Sequence, residues 1–319
     1  MNTFTQFISS HKRTYFVLSV LTTVLVAIAW IATPTAHVQE VNGTNVVLIT
    51  EDAAQAESKR QLFNVRGNTN EPSDSIPQFA PDVANAIRVL PGCTTNTLPA
   101  NDDGSTAAVT MPFIVNYFGR TYGTTYVNNN GNITFTDPLT TYTPFNLNTT
   151  TVPIIAPFFA DVDTRGAGSG LVQFGNTTVN ERPAFCVNWV DVGYYNSRDN
   201  LLNSFQLILI ERFDTGPGNF DIEFNYNKIL WETGDVSGGT GGQGGNSARA
   251  GYANGSLAPG TYRELEGWAV NGGLLDSKLA TGLTNSSFKF GMLGRVIFSA
   301  RQIAIPPTWH MSTAPLSPA

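Results

Sequence analysis

The clearest signal in the chain is an alternation. Phe220, Ile222, Phe224 and Tyr226 alternate with Asp221, Glu223 and Asn225, the period of two that a β-strand shows when one face is buried and the other wet. Just upstream, Leu207-Ile208-Leu209-Ile210 is an unbroken aliphatic run, which suits a strand buried on both faces. Between them lies Asp214-Thr215-Gly216-Pro217-Gly218. Its glycines accept positive φ and its proline fixes a turn, so the two runs predict a β-hairpin followed by a glycine-rich loop.

Shorter signals of the same kind fill the surrounding chain. Residues 113–118 read as a strand, and residues 122–137 contain Asn128-Asn129-Asn130-Gly131-Asn132, a hairpin signal because Asn-Gly accepts positive φ. With Asn130-Gly131 as a two-residue turn, Tyr126 faces Phe135 on the side of Ile133, and Val127 and Thr134 take the other side. Residues 154–159 make another strand, interrupted or at an edge because Pro157 cannot donate to a ladder. Asp161 to Gly170 is acidic and then flexible. Residues 171–174 and 184–192 add strands, and segments 249–253, 268–270 and 288–298 close the domain. Residues 274–279 are the one candidate for a short helix. No long amphipathic helix and no internal repeat is found. The expected fold is mainly β, an antiparallel β-sandwich-like single domain with long loops and few short helices.

Several of these stretches together resemble a known family. They are Asn203-Ser204-Phe205-Gln206-Leu207, the strand from Gly218 to Tyr226, and Ile229-Leu230-Trp231-Glu232-Thr233-Gly234-Asp235 with its glycine loop. Ala156-Pro157-Phe158-Phe159-Ala160-Asp161-Val162-Asp163-Thr164-Arg165, the stretch from Phe185 to Tyr195, and Ala250-Gly251-Tyr252 complete the set. The order and content are similar to the nidogen-like (NIDO) extracellular domain family, the module of nidogen, tectorin and many microbial surface proteins, over about residues 90–300. The resemblance implies a mainly β fold and a non-catalytic role in adhesion, matrix or cell-surface assembly. The implied partners are other macromolecules: a second copy, matrix glycoproteins or glycans. A sheet edge, or aromatic side chains such as Tyr194 and Tyr195, would supply the contact if exposed; both tyrosines equally suit a core.

The N-terminus adds a location. His11-Lys12-Arg13 precedes an uncharged apolar run over residues 15–32, the pattern of a secretory signal peptide or of an N-terminal membrane anchor. Either reading exports the rest and makes the protein secreted or displayed at the cell surface. A buried core helix would leave the basic flank unexplained. The organisation expected is signal or anchor over 1–36, flexible linker over 37–89, domain over 90–300 and disordered tail over 301–319. Within the linker Val46-Val47-Leu48-Ile49 is the one apolar run, and Lys59-Arg60 is either an exposed basic pair or a dibasic processing site.

Cys93 and Cys186 are the only cysteines. In an exported chain they are most simply one disulfide, and two buried free thiols are the alternative. Asn-X-Ser/Thr sequons stand at Asn42, Asn132, Asn148, Asn176, Asn254 and Asn285. They are glycosylation candidates in a eukaryotic secreted protein and chance matches otherwise, with Asn132 placed accessibly beside the predicted turn.

Candidate chemistry is sparse. Charged residues make up 13% of the chain and the net charge is −6, which offers no basic face for nucleic acid. His11, His37 and His310 all fall outside residues 90–300, which excludes a Ser-His-Asp or Cys-His arrangement and a His-ligated zinc there. The glycines of 237–245 are not followed by the Lys-Ser or Lys-Thr of a phosphate-binding loop. Two carboxylate readings remain. Asp161 and Asp163 are oxygen ligands of the type calcium takes, the only cofactor the sequence suggests. The alternative function, a carbohydrate-active enzyme of the glycoside hydrolase type, would pair Asp161 or Asp163 with Asp191, Asp221 or Glu223. Against both stands a plainer reading, in which Asp163 and Arg165 fix a turn.

Overall fold

A computed structural model describes residues 47–50, 86–285 and 293–302, all within the unit Gln39–Ala319. The N-terminal apolar run, Asn42, Lys59-Arg60 and the tail beyond 302 lie outside the described residues. Among the described residues no helix is long and apolar enough to cross a membrane.

The strands in chain order are β1 (Val47–Thr50), β2 (Asn96–Thr97), β3 (Val109–Tyr117), β4 (Arg120–Asn128), β5 (Asn132–Thr134) and β6 (Ile154–Phe159). There follow β7 (Val162–Asp163), β8 (Val172–Val179), β9 (Arg182–Tyr194), β10 (Arg198–Glu211) and β11 (Phe220–Lys228). The last are β12 (Gly239–Thr240), β13 (Gln243–Gly244), β14 (Arg249–Ala253), β15 (Tyr262–Glu264) and β16 (Arg295–Gln302). A large sheet runs β1-β16-β11-β10-β9-β8-β2, with β7 also pairing to β9. A smaller sheet runs β15-β14-β6-β5-β4-β3, and β12-β13 form a ribbon. Every described pairing is antiparallel. The mainly β, sandwich-like fold expected from the sequence is therefore present.

Alternation explains how the two sheets face each other. Phe185, Val187 and Trp189 of β9, Phe205, Leu207 and Leu209 of β10, and Phe220, Ile222 and Phe224 of β11 share one core with Val115, Val127, Ile133 and Ile155 of the small sheet. The aliphatic run of β10 is buried on both sides as expected, because Ile208 and Ile210 join Cys93, Val179, Ala184 and Cys186 in a second cluster. A third cluster forms where Leu147, with Phe145 and Val152 packed on it, covers Ile154, Ala156 and Phe159 of β6. Buried ring donors find carbonyls, as low-dielectric burial demands: Trp189 Nε1 on Asn129 O at 3.0 Å and Tyr226 OH on Pro157 O at 2.8 Å.

Five expectations are corrected. The polar side of β11 is not wet: Asp221, Glu223 and Asn225 are buried, covered by arginines from other segments. The β4–β5 loop has three residues, with Val127 opposite Ile133 and Tyr126 opposite Thr134, so Tyr126 and Phe135 lie on opposite faces. Gly131, at φ +72°, takes the left-handed place that closes a three-residue hairpin loop. Strand β6 is central rather than at an edge. Pro157 is tolerated because it falls where the β14–β6 register shifts and beyond the end of β5. Residues 268–270 and 274–279 form turns, not a strand and a helix. Finally, the sheet reaches into the expected linker: β1 pairs with β16, Ala86 is buried, and the Arg88 backbone N–H donates to Gln206 Oε1 at 3.0 Å.

Candidate functional site

The acidic residues of β6–β7 lie at the seam where the small sheet passes into the large one. The loop Asn128-Asn129-Asn130-Gly131 organises this seam with its side chains. Asn129 Nδ2 donates to the carbonyls of Asp102 and Val162, both at 2.6 Å. Asn130 Oδ1 accepts from Val162 N–H at 2.9 Å, while its Nδ2 donates to Asp103 Oδ1 at 2.9 Å. The loop Asn101-Asp102-Asp103-Gly104 is held from two further directions. Thr164 N–H donates to Asn101 O at 2.9 Å and Asn101 Oδ1 caps Gly104 N–H at 2.6 Å.

This scaffold brings Asp102, Asp103 and Asp161 together, with one carboxylate oxygen of each within 4.8 Å of the others. Asp161 has no accessible surface. Its carboxylate rests against the Gly234 backbone, where a Cβ would come within 2.1 Å of Oδ2; the glycine of Trp231-Glu232-Thr233-Gly234 thus leaves room for the acid. Burial, reinforced by the charges of Asp102, Asp103 and Asp163, pushes Asp161 up to about 8. Burial, with the charges of Asp163 and Asp103, pushes Asp102 up to about 6, and Arg165 opposes them. Chemically the cluster is a set of hard oxygen donors.

Asp163, paired with Asp161 in the sequence-based calcium set, points elsewhere. Its carboxylate takes Arg165 N–H and Nε at 2.9 Å each, Arg165 Nη2 at 2.6 Å and Ser197 N–H at 2.7 Å. Burial works against its ionisation, but these hydrogen bonds outweigh it and hold the acid below the usual carboxylate range. Asp163 and Arg165 therefore do the turn-fixing work of the plainer reading. Asp102 and Asp103 were missed because Asn-Asp-Asp-Gly reads as an ordinary exposed turn. Its resemblance to acidic cation loops was the one available signal.

The proposed glycosidase partners are not assembled. Asp221 meets Arg212 at 2.7 Å and also Arg301, and Glu223 meets Arg88 at 3.1 Å and Arg295 at 3.3 Å. These pairs sit on the outer face of the large sheet. Asp191 is bound by Lys228 at 2.5 Å. Asp161, being enclosed, offers no surface to a sugar.

Cys93 and Cys186 form a disulfide. Tyr194 is core, against Trp231, and Tyr195 is half-buried. Among the sequons, Asn132 is fully buried, with Oδ1 accepting from Asn128 and Nδ2 donating to Asn130 O, so the accessibility expected for it is wrong. Asn176 is exposed, and Asn148, Asn254 and Asn285 are partly so.

Comparison with known proteins agrees with this architecture. The family model described as "Nidogen-like domain" matches residues 123–301, more than half of the chain. Mouse alpha-tectorin is 34% identical over 182 residues, covering 50% of this chain and 8% of that protein. Chicken alpha-tectorin is 33% identical over 191 residues, also 50% of this chain and 8% of the relative. Nidogen of Drosophila melanogaster is 27% identical over 132 residues, 34% of this chain and 10% of the relative. The match thus spans a small fraction of these relatives' length. No solved structure matches the chain. The chain belongs to the nidogen-like domain family, an extracellular family.

Proposed function

We propose that this protein is a non-catalytic module that works in the extracellular matrix or at the cell surface by binding other macromolecules: itself, matrix glycoproteins or glycans. One observation carries the reading. The stretch that matches this chain covers only 8% of mouse alpha-tectorin and 10% of Drosophila nidogen, as a contact-making unit within a long chain would. The N-terminal apolar run then serves to export the module or to tether it.

Two surface features suit such contacts. Strand β3 is an edge of the small sheet and exposes Ile114 at 62%; Asn116 N–H and Thr110 O are taken by Gly218 O and Asn176 Nδ2, and the stretch between them is where a partner's strand could add. On the large sheet's outer face, a cavity of about 280 Å³ is lined by Arg88, Arg182, Arg212 and Arg295 with Asp221 and Glu223. Guanidinium groups outnumber carboxylates there, which favours an acidic glycan group.

The test is sedimentation of the full-length chain over a range of concentrations, together with matrix-protein and glycan arrays. Concentration-dependent association or saturable binding is expected. Monomeric behaviour throughout with blank arrays overturns the proposal. A panel of glycoside substrates checks the non-catalytic part: turnover that disappears in Asp161→Asn would sink it.

A further inference from the structure

Both carboxylate oxygens of Asp161 and Oδ1 of Asp102 are buried and receive no hydrogen bond from the described chain. A buried carboxyl group with no hydrogen-bond partner is costly whether it keeps its charge or takes up a proton. Here it is not an accident of a loose loop. Asn129, Asn130 and Thr164 hold the two acidic segments in register by the hydrogen bonds given above, and the chain narrows to glycine at 234 to leave the Asp161 carboxylate in place. Arg165 is the guanidinium at the cluster, and it is largely committed to Asp163.

We infer that Asp102, Asp103 and Asp161 bind a divalent, oxygen-seeking cation, calcium, with water and main-chain oxygens completing its shell. The orphaned oxygens of Asp161 are the observation that points to a ligand, since a cation gives partners to groups that no donor among the described residues reaches. The donor set is purely carboxylate, with no imidazole and no thiolate, which matches calcium or magnesium rather than zinc or copper. Calcium is favoured because it accepts an irregular shell of six to eight oxygens, and extracellular modules typically hold it with Kd of about 10⁻⁴–10⁻³ M. The site does not depend on the adhesion reading: it would tie the loop at 101–104 to the β6–β7 corner whatever the module binds.

The test is thermal unfolding of the full-length chain in chelator and across a calcium titration, for the wild type and Asp161→Asn. For the wild type, calcium at ten times Kd should raise the melting temperature by roughly 3–6 °C. Asp161→Asn should lose that shift, yet in chelator melt no lower than the wild type, because the amide relieves repulsion among the acids; this separates a lost site from a failed fold. Terbium luminescence gives a second readout. Trp189 donates to the Asn129 carbonyl and so lies close enough to sensitise a lanthanide in the site, with emission lost in Asp161→Asn. No shift with calcium up to about 10 mM, or an equal shift in the variant, overturns the inference.

Discussion

At Gly131 the chain turns with φ +72°, and a Cβ there would fall 1.8 Å from the Phe158 carbonyl oxygen. That oxygen cannot retreat without moving β6, so Gly131→Ala should cost about 2–4 kcal/mol in urea unfolding. Asp191 allows a prediction of pH dependence. A hydrogen bond from the Lys228 ammonium, with one from the Ser204 hydroxyl, holds its carboxyl below the ordinary range. Folding then favours the charged form. The contribution is complete above the unfolded pKa of about 3.9 and is lost as pH falls through the lower folded value. Because Asp191 is half exposed, the effect is small, under about 1 kcal/mol. Between about pH 5 and pH 2 the wild-type melting temperature should fall more steeply than that of Asp191→Asn, the two curves converging at the acid end. At this scale Asn130-Gly131 was legible as a turn, but its length was not. Two- and three-residue loops both accept Asn-Gly; what selects the longer one is the engagement of Asn129 with Asp102 and Val162, contacts no local pattern encodes.

Strand β11 shows how an element can be read correctly and its surroundings missed. Its alternation located the strand, its hairpin partner and its core face, all of which the structure contains. The same alternation implied a solvated outer face, and the difference comes from Arg88, Arg212, Arg295 and Arg301, brought over Asp221 and Glu223 from other elements. Ion pairs enclosed in this way are sensitive to loss of one member. Glu223→Ala leaves Arg88 and Arg295 without their carboxylate and should destabilise by about 2–4 kcal/mol, measured by denaturant unfolding. The acidic cluster was half legible for the same reason. Asp161 stood out in its aromatic-acidic motif, but its neighbours Asp102 and Asp103 arrive from a distant loop, and the nearer Asp163 is diverted by Arg165.

For the whole molecule, the disulfide from Cys93 to Cys186 spans 93 residues and anchors the segment before β2 to the middle of the large sheet. Loop closure on that scale is worth up to about 4–5 kcal/mol. Reduction should lower the melting temperature by up to roughly 10–20 °C, and alkylation should label the cysteines only after reduction. The even cysteine count announced this bond. The entry of the chain into the sheet was less visible, since Val47–Thr50 is a short apolar run in a polar span.

That first strand has a mechanical consequence. β1 runs antiparallel beside β16 with Val47 opposite Gln302, so the flanks leading in at 47 and out at 302 leave from the same rung. Tension applied through the two flanks therefore falls on one rung at a time and peels β1 away, instead of shearing the whole ladder at once. The disulfide, deeper in the fold, takes no share of that load until the outer strand has come free.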